Sequence, residues 1–214
     1  MAAALDTFSE LQTSVYSRLN RGANSTDFGI AIALAEAEIN RRLALNPVHP
    51  MQVHTTAAIS AEYEAVPTDI LDVESLAING DAVTATSPQN IEQMAAKDPA
   101  QPRYYAQIGS QFRFYPAPDQ SYTLDITYWA KVPNLNATAT TNWLLTDHPD
   151  VYFHGILAHL HQQYFDEKAA QTHAALFSDA LDKVLSAYPN RSDTRPLRSE
   201  ISPNQLSGWR LVLV

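Results

Sequence analysis

The feature that most constrains this chain is a change of hydrophobic period along its length. Apolar residues recur at helical steps toward both ends of the body, whereas the middle carries β-branched and aromatic runs together with most of the 13 prolines. Proline lacks an amide donor and clashes with the preceding helical turn, so such a middle disfavours long helices. The long helices must come from two separated pieces of chain, and the strands from the stretch between them.

At the N-terminal side, Thr7 and Glu10 have capping-box spacing, and Phe8, Leu11, Val15 and Leu19 follow on one face. A polar break from Asn20 to Ser25 separates this helix from a second, with Ser25 or Thr26 as its expected cap. The second helix carries Phe28, Ile32, Ala35, Ile39 and Leu43 and stops at Asn46 and Pro47. The two are expected to pair antiparallel.

Strands are expected at Val53 to Ser60, Tyr63 to Val66, Val73 to Ile78 and Ala82 to Thr86, with Asn79 and Gly80 turning the third into the fourth. Ser87 and Pro88 start a short helix through Met94. A second hairpin joins Tyr104–Ile108 to Gln111–Tyr115 through Gly109, and Tyr122 to Trp129 alternates Leu124, Ile126 and Tyr128 with polar residues. One antiparallel sheet is the expectation. Helix returns after Thr146, with Phe153, Leu157, Leu160 and Tyr164 on one stripe and Phe177, Leu181, Val184 and Tyr188 on another. The expected fold is therefore α+β: an antiparallel four-helix bundle from 1–46 and 147–188, a β-rich insertion at 47–146, and an extended tail at 189–214.

The tail is unusual. It is polar and interrupted by Pro189, Pro196 and Pro203, yet it closes with Trp209, Arg210, Leu211, Val212, Leu213 and Val214. An exposed apolar terminus of β-formers is an aggregation hazard, so it is expected to pair with a sheet edge or fill a groove. Fully extended from Pro189, it reaches about 80 Å, enough to touch a neighbouring subunit. Arg191, Arg195, Arg198 and Arg210 outnumber Asp193 and Glu200 there, so the tail is basic while the body is more acidic than the overall charge of −9. These four arginines and the terminal run from Trp209 to Val214 are the candidate docking residues for a partner.

The acidic body disfavours binding to nucleic acid phosphates. No cysteine is present, which removes disulfides, thiolate metal sites and cysteine nucleophiles. There is no signal-peptide pattern at the start and no apolar run of membrane-spanning length. His154 and His161 share a helical face, with Asp150 one turn before, but His159 points elsewhere and no His-Glu-x-x-His motif occurs, so no metal is expected. Glu36 and Glu38 are two apart on a helix and cannot flank one glycosidic bond; they are expected to pair with Arg41 or Arg42 at the surface. Neither a phosphate-binding glycine cluster nor a Gly-x-Ser-x-Gly elbow is present. No catalytic residue and no cofactor is expected.

Several stretches resemble, in order, a known family. Ala35-Glu36-Ala37-Glu38-Ile39-Asn40-Arg41-Arg42-Leu43 is similar to the second-helix signature of the head-to-tail adaptors of short-tailed bacteriophages, the tail tubular protein A-like proteins. Pro102-Arg103-Tyr104-Tyr105 and Pro116-Ala117-Pro118-Asp119 resemble that family's second hairpin, and Tyr128 to Leu135 resembles the strand exit after it. Thr141 to Leu145, followed by Pro149 to Gly155, is similar to the start of its third helix. The resemblance implies a virion protein that forms a twelvefold ring beneath the portal protein, joins it to the tail nozzle or tail tube, and lets DNA pass without specific binding. A virion-borne cell-wall hydrolase and a head- or tail-completion protein of a long-tailed phage are the alternatives.

Overall fold

The computed structural model describes residues 5–19, 24–94 and 98–188. The first helix, α1 (Phe8–Leu19), begins with the capping box: Thr7 Oγ1 accepts from the Glu10 amide at 3.3 Å, and Glu10 Oε2 accepts from the Thr7 amide at 3.1 Å. The second, α2 (Ser25–Leu45), is capped one residue earlier than expected, by Asn24, whose Oδ1 accepts from the Thr26 amide. A 3-10 turn at His49–Met51 then leads into the strands.

These are β1 (Gln52–Ile59), β2 (Tyr63–Ala65), β3 (Ile70–Ile78), β4 (Asp81–Ala82), β5 (Thr84–Ala85), β6 (Tyr104–Ile108), β7 (Gln111–Tyr115) and β8 (Tyr122–Ala130). The short helix α3 (Pro88–Gln93) sits between β5 and β6, its Ser87 cap accepting from the Asn90 amide. Asn79 and Gly80 both take positive φ, 51° and 87°, which is what a two-residue turn from β3 to β4 requires.

The strands do not form the single antiparallel sheet expected. They form two four-stranded sheets, in the orders β1-β8-β3-β4 and β2-β7-β6-β5, with β5 and β6 running parallel. The corner at Ser60–Glu62 sends β1 to β8 but β2 to β7, so adjacent strands enter different sheets. The physical reason is coverage. Tyr122, Leu124, Ile126 and Tyr128 of β8 are buried together with Tyr105, Phe112 and Phe114 of the other sheet in a core distinct from the helical one. Each sheet hides its apolar face on the other.

The helical part is completed by α4 (Trp143–Asp147), α5 (Pro149–Gln163) and α6 (Glu167–Ala187). It is α+β as expected, but not a four-helix bundle: the described residues hold six helices and two sheets. A bundle helix buries one stripe, whereas α5 buries Val151, Tyr152, Gly155, Ile156, Leu157 and Leu160 around most of its girth. It is a central helix touching α1, α2, α4 and α6. Gly155 permits the close approach, since a Cβ there would lie 2.9 Å from the Phe177 ring and 3.3 Å from Ala35. The start of α2 meets the end of α5 through Asp27 and Tyr164, 2.9 Å apart, so these two run antiparallel.

Candidate functional site

Four of the stretches quoted for the resemblance converge on one place, where the chain passes from β8 into the helical core. The segment after β8 buries Val132 and Leu135 among the helices. Buried turns need partners for their backbone groups, and α2 supplies them. Asn40 Oδ1 accepts from the Val132 amide at 2.8 Å, and Glu36 Oε1 accepts from the Leu135 amide at 2.6 Å. From the other side, Asn142 Nδ2 donates to the Pro133 carbonyl at 2.6 Å and to Tyr152 Oη at 2.8 Å, while its Oδ1 caps α4 by accepting from Leu145 at 2.8 Å.

Glu36 is thus not a surface partner of Arg41 or Arg42, as its spacing suggested. It is only 7% exposed, and burial raises its carboxyl above the usual range, partly offset by the Leu135 amide. Arg42 instead bridges to Asp182 at 2.9 Å, and Glu38 lies 3.7 Å from His159. Tyr152, fully buried, has its phenol pushed upward by desolvation. This cluster is a mechanical joint between the helical and the strand-rich parts; its carboxylate is engaged by a backbone amide rather than poised over a cleft.

The second cluster lies between α5 and α6. His154 and His161 do share a face, and between them stands His173, from α6. Folding α6 back on α5 around Phe165 sets position 173 opposite 157, midway between the two. His154 Nδ1 and His173 Nδ1 are 3.1 Å apart, so one ring donates and the other accepts, while the His161 ring lies parallel to His173 at 5.4 Å. His161 Nδ1 faces Asp166 at 3.4 Å, and His159 turns to Glu38 as expected from its different face. Among the described residues no group of three or more His, Asp or Glu is placed to hold a metal ion.

Burial, followed by repulsion from His154, His161 and Arg18, pushes the His173 imidazole down to about 4. Its folded value is below its unfolded one, so its stabilising effect is full above about pH 6.5 and is lost progressively as pH falls toward 4. Allowing for solvent screening, the loss is on the order of 1–2 kcal/mol. Thermal unfolding at pH 5 is therefore expected several degrees below that at pH 7, and His173→Asn should flatten that difference. An unchanged pH dependence in the variant would remove His173 as its source.

Beside this cluster, α2, α5 and α6 bound a groove of about 640 Å³ floored by Ala158, Phe177 and Leu181. Phe165, in the turn between α5 and α6, takes a positive φ of 59° and is 92% exposed at the groove's rim. No helix among the described residues is long and apolar enough to cross a membrane.

The model of a known family, described as SU10 adaptor protein, matches residues 6–204. The chain belongs to the SU10 adaptor family. This is a family of phage head–tail adaptors, so the protein is a structural component of the virion that associates with portal and tail. A search of curated proteins finds no match. The arginines Arg191, Arg195, Arg198 and Arg210 and the run Trp209–Val214 singled out in the tail lie outside the described residues. The amide and carboxylate joint, His173 and the exposed Phe165 were all missed by sequence reasoning. Only His173 had a usable signal, the reflection of one helix onto another about a short turn.

Proposed function

We propose that this adaptor-family protein assembles as a twelvefold ring between the portal and the tail nozzle, continuing the channel through which the genome leaves the capsid. The observation that carries this is the family match from residue 6 to 204, which extends beyond the last helix into the tail. The charge distribution supports it: an acidic body repels DNA phosphates along a bore instead of gripping them. The basic, apolar-ended tail supplies what a joint needs, arginines for charge contacts and an apolar run that a portal or a neighbouring subunit can cover. Arg191, Arg195, Arg198, Arg210 and Trp209 to Val214 are the docking residues in this reading.

Deleting Ser199 to Val214 is expected to leave circular dichroism and the melting temperature unchanged while abolishing joining to portal rings, read by sedimentation and electron microscopy. Normal joining by the truncated chain would overturn the tail's role. A particle in which this chain forms no ring beside the portal would overturn the adaptor ring itself.

A further inference from the structure

The groove between α2, α5 and α6 has the chemistry of a receptor for a particular kind of segment. Its floor is apolar, from Ala158, Phe177 and Leu181, and Phe165 stands open beside it. Its rim holds Glu38, Arg42, His159 and Glu167; Arg42 bridges to Asp182 at 2.9 Å and Glu38 lies 3.7 Å from His159, which leaves Glu167 to meet a positive charge brought by a ligand. A segment that fits must bring a large apolar side chain, further aliphatic residues and a positive charge. Trp209-Arg210-Leu211-Val212-Leu213-Val214 brings all three.

Length lets the tail leave its own subunit. The last helix ends at Ala187, and Leu181, in the groove floor, lies only about 10 Å back along that helix. The linker from Pro189 to Gly208 can span at most about 65 Å when extended. That reach exceeds the distance back to the groove of its own subunit and is enough to cross to the groove of an adjacent one, which in a ring stands beside every tail.

We propose that the terminal run Trp209–Val214 of one subunit seats in the α2/α5/α6 groove of the next, so that tails tie neighbouring subunits together. This rests on the ring reading above. It names a contact within the ring as the tail's seat, with Trp209 as the anchor in the apolar floor and Arg210 against Glu167 at the rim.

The absence of native cysteine makes the test direct. Full-length chains carrying Val212→Cys and Ser178→Cys separately are mixed, assembled with portal rings and oxidised. A disulfide-linked heterodimer is the expected main product. Adding Ala174→Arg to the Ser178→Cys chain, at an exposed groove position, should cut its yield about tenfold or more without altering the melting temperature. Rings that form without the heterodimer overturn the groove contact alone, as does coupling of the Val212→Cys chain to portal instead. So does an intrachain disulfide as the main product when both cysteines are on one chain. Failure to form any ring with portal takes the ring reading and this contact down together.

Discussion

Replacing Glu36 by alanine is expected to lower the free energy of unfolding by about 3 kcal/mol, a large share of what a single domain has to spare. The carboxylate is buried and accepts from the Leu135 amide at 2.6 Å, so its removal leaves a buried amide without a partner and a void beside α2. Glu36→Gln separates the two contributions of the native side chain. Its amide oxygen still accepts from Leu135, and it avoids burying a charge, so its loss should stay within about 1 kcal/mol at neutral pH. The pH dependence has a definite sign. Because the folded carboxyl titrates above its ordinary value, the folded state binds that proton more tightly, and Glu36 contributes less stability as pH rises through its folded value. Glu36→Gln should lack this dependence. Urea unfolding of the three proteins at pH 5 and 7 checks all of this; equal stabilities of the alanine and glutamine variants would refute the backbone-acceptor role.

Asn142→Ala is the second large effect, expected at about 2–4 kcal/mol. Its side chain makes three contacts at once, caps α4 at Leu145, and orients both the Pro133 carbonyl and the Tyr152 hydroxyl. Since Tyr152 is fully buried, losing Asn142 strands its hydroxyl, and Tyr152→Phe alone should cost only about 1 kcal/mol. The double variant should then be more stable than the sum of the two losses implies, because the phenylalanine leaves no hydroxyl to strand. Strict additivity in chemical denaturation would show that the two groups do not act as a unit.

Much of the local structure was legible in the residues themselves. Thr7 and Glu10 form the capping box their spacing announces, Ser87 caps the helix that begins at Pro88, and the hairpin Tyr104–Ile108 to Gln111–Tyr115 has the boundaries read from Gly109 and its flanks. Each of these is decided by groups within a few positions of each other. Glu36 was misread because the same local logic placed it beside Arg41 and Arg42, whereas its partner is 99 positions away. A hydrogen bond of that span has no sequence pattern. The histidine cluster was half legible for the same reason: the face shared by His154 and His161 is a property of one helix, while His173 joins through the packing of two.

Local spacing was enough for most of the helices and strands, though not for α4 (Trp143–Asp147) or for the division of Ala82 to Thr86 into two short strands, and for the alternation that buries one face of β8, the acidity of the body against the basicity of the tail, and the ordered stretches that resemble phage adaptors. Tertiary structure decided how many sheets there are, that α5 is enclosed rather than one side of a bundle, and that Glu36, Asn40, Asn142 and Tyr152 form one joint. The reason is range. Propensity, capping and period act within a turn or a hairpin, but the choice between one sheet and two, or between a surface carboxylate and a buried acceptor, depends on which apolar faces and buried backbone groups must be satisfied once the whole chain is packed.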